Sequence, residues 1–157
     1  MDLLEFDGKR LLAHHGVQIP LGGLWPERPK TDTKLVVKAQ VPAGGRGKQG
    51  GIRFADNWEE AGNIAASLIG SCLGSHHVKH VYIEEKLAIE RELYLSVFVD
   101  RDKGCLSFLA SPEGGVDIEE VARQRILRLP VEPLLGLQHF QARAVARFLD
   151  PDGSRTE

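Results

Sequence analysis

The sequence predicts a mixed fold, α+β or α/β, built as one domain or at most two small lobes. Three observations carry this. Residues 2–15, 57–70 and 138–149 repeat apolar side chains at helical spacing, residues 35–41 and 92–100 are apolar or alternating at strand length, and no segment repeats at a fixed period. A length of 157 residues suits that size, and 42% hydrophobic residues with 17 glycines exclude a disordered chain. Lys and Arg total 20 against 22 Asp and Glu, so overall charge favours neither nucleic acid nor an acidic membrane as partner. No apolar run reaches the ~20 residues that span a bilayer, and the acidic N-terminus lacks the apolar run of a signal peptide. Two cysteines, Cys72 and Cys105, cannot make a disulfide framework. Together these features predict a cytoplasmic protein.

In the first helix Leu3, Leu4, Leu11 and Leu12 form the apolar stripe, Lys9 and Arg10 point outward, and Gly16 is the stop. Segment 17–34, punctuated by Pro20, Gly22, Gly23, Pro26 and Pro29, reads as loop. In the strand at 35–41, Leu35, Val37, Ala39 and Val41 share one face, and Val36, Lys38 and Gln40 the other. Asp56 or Asn57 caps a helix over 57–70 with Ala61, Ile64, Ala65, Leu68 and Ile69 on its stripe. Residues 76–85 read as loop into strand. Leu93, Leu95, Val97 and Val99 face one way in the strand at 92–100, which turns at 101–104 and returns at 105–110 as a hairpin. A loop at 111–115, a short helix at 117–123, a strand at 126–129 and an amphipathic helix at 138–149 follow. In that helix Phe140, Ala144, Val145, Phe148 and Leu149 face inward, and 151–157 form a disordered tail.

The chemistry concentrates where the 35–41 strand runs into a glycine loop. Five of the eight residues at 44–51 are glycine, interleaved with Arg46 and Lys48. Glycines let backbone N–H groups approach phosphate oxygens, and the cations neutralise charge, Lys as a point charge and Arg as a fork. From Glu27 to Arg53 seven Lys and Arg stand against two acids, a local balance of +5 within a chain of net −2. The loop is neither a Walker P-loop, lacking Gly-Lys-Ser/Thr, nor a dinucleotide fingerprint, since no helix follows at the third glycine. Further on, Glu84 and Glu85 end one strand and Glu92 opens the next. Such carboxylates can accept hydrogen bonds from ribose or adenine, but standing alone they read as a charged turn.

Together these segments resemble a known family. Val36-Val37-Lys38, Gly44-Gly45-Arg46-Gly47-Lys48, Ile83-Glu84-Glu85, Arg91-Glu92-Leu93-Tyr94-Leu95 and Glu113-Gly114-Gly115 stand in the order of the β subunit of succinyl-CoA synthetase. Malate–CoA ligase and citryl-CoA synthetase/ATP-citrate lyase are its near relatives. The opening Leu4-Glu5-Phe6-Asp7-Gly8-Lys9-Arg10 is similar to that family's first helix, and the likeness spans residues 2–149.

The resemblance implies an α+β ATP-grasp fold, with one complete small nucleotide-binding lobe and the first half of a larger one. Residues 1–17 would be a helix of the larger lobe, 18–90 the small lobe and 91–150 the partial larger lobe. It implies a nucleotide site made by Lys38 on the phosphates, Gly45, Arg46 and Gly47 in the covering loop, Glu84 near base and ribose, Leu87 by its backbone, and Glu92 on the ribose. The family reaction, in the tricarboxylic acid cycle, joins succinate and CoA at the expense of ATP or GTP. It uses Mg²⁺ and an α subunit that carries the CoA site and a phosphorylated histidine. None of His14, His15, His76, His77, His80 and His139 matches that histidine, and no residue here matches the Mg²⁺ ligands. The expectation is therefore a chain that binds nucleotide without turnover by itself. The alternatives are a truncated, non-catalytic interaction module and a ligase acting on malate or citrate. Two departures stand out: segment 20–35 is shorter than the family's, and Pro42 replaces a common histidine.

Overall fold

The computed structural model describes residues 3–115, 118 and 121–153. Contacts divide the chain after Ala88 into two compact units.

In the first unit, helix α1 (Glu5–His14) precedes β1 (Gly22–Leu24), β2 (Leu35–Gln40), β3 (Ile52–Ala55), α2 (Trp58–Leu68), the short strands β4 (Cys72–Leu73) and β5 (His76–His77), and β6 (His80–Glu85). Four strands form an antiparallel sheet in the order β1-β6-β2-β3, with β2 inside and Val37 opposite Ile83. The apolar face of β2 is as expected: Leu35, Val37 and Ala39 are buried in one cluster with Val81, Ile83, Ala61, Ala65 and Leu68. The small Ala61 and Ala65 let α2 lie close against the sheet. Asn57 accepts from the Glu60 backbone N–H at 2.9 Å, which settles the cap between the two candidates. Ile69, expected on the buried stripe, instead ends the helix and is exposed.

The strands β1 and β3 and the two-residue β4 went unforeseen in sequence. β1 lies inside the proline-rich segment 17–34, and β3 follows the glycine loop directly. The loop is thus the connection of a hairpin, since Lys38 pairs with Ile52 across it.

Helix α1 reverses its expected orientation. Leu3, Leu11 and Leu12 are all about half exposed or more, whereas Lys9, expected outward, has a side chain only 16% exposed. The reason lies in the surface the helix meets. Val36, Lys38 and Gln40 of β2 share a sheet face with Tyr82 and Glu84 of β6, and that face is largely polar. It attracts Glu5, Phe6 and Lys9 instead of leucines: the Phe6 N–H donates to Gln40 Oε1 at 3.0 Å, and the Phe6 and Tyr82 rings lie 5.9 Å apart. The helix, expected to accompany the larger lobe, groups here with the first unit.

The second unit is an antiparallel sheet, β7 (Tyr94–Asp100), β8 (Cys105–Ser111) and β9 (Leu127–Val131), on which α3 (His139–Leu149) packs. The alternation expected in β7 holds, and its apolar side faces out: Leu95, Val97 and Val99 are all more than half exposed. The opposite side carries Asp100, buried and held by Arg128 at 2.7 Å and by the Ser107 hydroxyl. In α3, Val145 is buried, while Phe140 and Ala144, expected inward, are exposed. Residues 117, 119 and 120 of the expected helix at 117–123 and residues 154–157 of the expected tail at 151–157 lie outside the described residues, and Arg123–Arg125 form a 3₁₀ turn.

Candidate functional site

The polar face of the first sheet places the candidate phosphate ligands. β2 projects Lys38 from the side opposite the core, and β6 brings Glu84 beside it, with Lys38 Nζ 2.5 Å from Glu84 Oε1. The glycine loop then folds Arg46 back over the strand it left. Arg46 Nη1 donates to the Ala39 carbonyl at 2.8 Å, which fixes the guanidinium next to Lys38.

Both cations end on one carboxylate from α1. Glu5 Oε1 lies 3.0 Å from Lys38 Nζ, and Glu5 Oε2 lies 2.6 Å from Arg46 Nη2. Lys9, one helical turn on, bridges Glu5 Oε1 at 3.0 Å and also contacts Glu84. The site is thus a cluster of three cations, Lys9, Lys38 and Arg46, with two acids, Glu5 and Glu84, all with side chains less than one-fifth exposed.

Its electrostatics follow from this geometry. Burial works to raise the Glu5 carboxyl, but the charges and hydrogen bonds of Lys38 and Lys9 outweigh it and hold the group at about 2, against an ordinary 4.5. Burial works to lower Lys38, yet the bond to Glu84 and the charge of Glu5 raise it above the usual lysine range. Tyr82, beside them, is raised first by burial and then by the negative charges of Glu84 and Glu5. Lys38 is therefore a fixed cation rather than a proton donor at neutral pH.

Within the glycine loop, glycines serve different ends. Gly45 and Gly50 hold positive φ, +66° and +74°. At Gly51 packing disfavours a side chain, since a Cβ would lie 2.5 Å from Cδ1 of the buried Leu73 and 3.2 Å from the Arg46 carbonyl oxygen. Gly44 meets no atom within 4 Å, and Gly47 meets only Ile52 Cδ1 at 3.9 Å. The fold makes no demand on either, so their bareness suits the approach of a ligand to the backbone. Accordingly, Gly51→Ala should lower the melting temperature by several degrees. Gly47→Ala should leave stability within about 0.5 kcal/mol. Thermal melts of the two variants check this.

The other candidates are dispersed. Leu87 lies beyond the end of β6, half exposed, next to Lys86, whose N–H donates to the Lys34 carbonyl at 2.7 Å. Glu92 belongs to the second unit. There Gly114 N–H donates to the Glu92 carbonyl at 3.0 Å, and a Cβ on Gly115 would collide with the Glu92 carboxylate. The Glu113-Gly114-Gly115 segment thus seats Glu92. Sequence reasoning left that segment without a contact, and it missed Glu5 and Lys9. The signal in the sequence was an opposite-charge pair at i and i+4 in the first helix. Among the described residues no three His, Cys, Asp or Glu side chains gather as a metal site. Nor is any helix among them long and apolar enough to cross a membrane.

Known proteins resemble this chain in sequence and in fold. A family model for the ATP-grasp domain matches residues 2–155. The succinate–CoA ligase (ADP-forming) subunit beta of Wolinella succinogenes is 42% identical over 165 aligned residues, covering 93% of this chain and 42% of the relative. That of Parvibaculum lavamentivorans is 39% identical over 175, covering 100% and 45%. The chain spans less than half the length of these curated relatives. Among solved structures, ATP citrate lyase from Methanothrix soehngenii, in complex with citrate and coenzyme A, superposes with a TM-score of 0.66 at 23% identity, covering 86% of this chain and 36% of that one. The dinucleotide-forming acetyl-coenzyme A synthetase 1 of Ca. Korarchaeum cryptofilum gives 0.64 at 16%, covering 92% and 65%. These two likenesses concern the fold, and they agree with the antiparallel sheets and flanking helices found here. With the family model matching almost the whole length, the chain belongs to the ATP-grasp domain family.

Proposed function

We propose that this chain is the nucleotide-gripping portion of an acyl-CoA synthetase β subunit of the succinate–CoA ligase kind. The overall reaction joins succinate to CoA while ATP or GTP goes to the diphosphate and phosphate. The observation that supports the reading best is the convergence of Lys38 and Arg46 on a single carboxylate. One residue comes from the strand and the other from the glycine loop, and together they make a preformed two-cation seat for an anion. In this reading Lys38 and Arg46 hold phosphate oxygens, and the backbone of Gly45 and Gly47 covers them. Glu84 holds the ribose or base edge, Leu87 contributes its backbone, and Glu92 accepts from ribose hydroxyls. Magnesium, the CoA site and the phosphorylated histidine come from outside these residues, the last two from an α subunit, and the setting is cytoplasmic.

The test is titration calorimetry with MgATP. The wild-type chain is expected to bind, and Lys38→Ala to bind at least about tenfold more weakly, the loss of one charge-assisted contact of roughly 1.5–3 kcal/mol. Arg46→Ala serves as a second variant, because Lys38 also neutralises two acids. Equal affinity in all three proteins would remove the site assignment.

A further inference from the structure

The carboxylate that meets Lys38 and Arg46 belongs to the protein itself. Both Glu5 oxygens are engaged, Oε1 by Lys38 and Lys9 and Oε2 by Arg46, so Glu5 stands where a bound anion would. If the two cations are phosphate ligands, Glu5 and the phosphate compete for the same donors.

The helix that carries Glu5 is lightly anchored. None of its residues is buried, Leu11 and Leu12 are about half exposed, and its N-cap residue, Leu4, makes no side-chain capping bond. Beyond the ion pairs it is held by the Phe6 N–H on Gln40 and by the Phe6–Tyr82 ring contact. The attachment of its first turn is therefore largely electrostatic, in the same currency as an incoming anion. The competition is unequal: a carboxylate offers one negative charge, whereas a polyphosphate offers three or four and more oxygens. The Lys9–Glu84 contact needs neither Lys38 nor Arg46, so the helix keeps a second tether when Glu5 is displaced.

Resting on the reading of this cluster as the phosphate subsite, we infer that Glu5 is its internal occupant, and that a polyphosphate binds by displacing the first turn of α1 from Lys38 and Arg46. Two consequences follow. Small monoanions do not fill the site, because they gain no more than Glu5 already supplies. Apparent affinity for polyphosphate is reduced by the fraction of molecules in which Glu5 is in place.

The experiment is calorimetric titration of the 157-residue chain with MgATP and with sodium tripolyphosphate, in wild type, Glu5→Gln, Glu5→Asp and Lys38→Ala. Hydrogen exchange of the wild-type α1 amides is followed alongside. Glu5→Gln should bind both ligands about tenfold more tightly than wild type, and Glu5→Asp, whose shorter acid reaches the cations less well, should gain a smaller factor. Exchange at residues 5–9 should quicken when wild type is saturated. Unchanged or weaker binding in both Glu5 variants, or slower exchange at 5–9 on saturation, overturns the inference. In that case weak binding by Lys38→Ala keeps the phosphate subsite standing. Wild-type affinity in Lys38→Ala removes the subsite, and the inference with it. The exchange measurement requires no variant, so it decides the matter even if Glu5→Gln fails to fold.

Discussion

Ile83→Ala should destabilise the first unit by about 2–5 kcal/mol, seen as a lower denaturant midpoint at unchanged slope. Ile83 is fully buried on the central pair β6–β2, opposite Val37 and in the cluster that seals α2 to the sheet. Deleting most of its side chain removes the transfer energy of the lost carbons and leaves a cavity that close-packed neighbours fill only in part. Domains of this size are stable by only about 5–15 kcal/mol, so the loss is a large share of the total. It also reaches the site, because Glu84 is the next residue on the same strand and its position depends on the register Ile83 helps hold. Leu134→Ala, at a side chain 93% exposed, should change stability by no more than about 0.5 kcal/mol. Equal effects of the two changes would mean that the core has been misplaced.

Acidification should release α1, and Glu5→Gln should abolish that part of the acid sensitivity. The folded-state carboxyl of Glu5 is depressed to about 2 against 4.5 ordinarily, despite burial, by Lys38 and Lys9. The groups facing it are Lys9 on its own helix, Lys38 on β2, Arg46 on the loop, and Glu84 and Tyr82 on β6. A depressed carboxyl contributes stability fully above about pH 4.5, and that stability is lost as pH falls from there toward about 2. At ~1.4 kcal/mol per unit the shift would amount to about 3.5 kcal/mol, and solvent screening at a partly exposed site reduces this to about 2 kcal/mol. Denaturant unfolding at pH 5 and pH 3 should therefore show wild type losing more stability than Glu5→Gln, by on the order of 1–2 kcal/mol. The remaining carboxylates titrate in both proteins, so the difference isolates Glu5. Parallel losses would show that Glu5 makes no such ion pairs in solution.

Much of this architecture was legible from local pattern. Alternation placed Lys38 opposite the apolar set of β2, and Val37, Ala39 and Lys38 lie on the sides the sequence assigned. Glycine spacing located the loop, and the Asn57 cap and alanine stripe located α2. β1 and β3 were hidden because strands of three and four residues carry too little alternation to stand out beside proline and glycine. The β7 pattern was read correctly as two faces, but alternation does not say which face is covered.

The sequence by itself determined the two faces of β2 and of β7, and where bare backbone and positive charge coincide, because both depend on spacings of a few residues. Only the tertiary structure decided what those faces meet. Glu5 reaches Lys38 and Arg46 across 33 and 41 residues, and Lys9 reaches Glu84 across 75. A helix turns inward whichever side suits the surface it docks on. Here that surface is the polar side of β2 and β6, so charge pairing outweighed the leucine stripe and set the Glu5 carboxylate between Lys38 and Arg46.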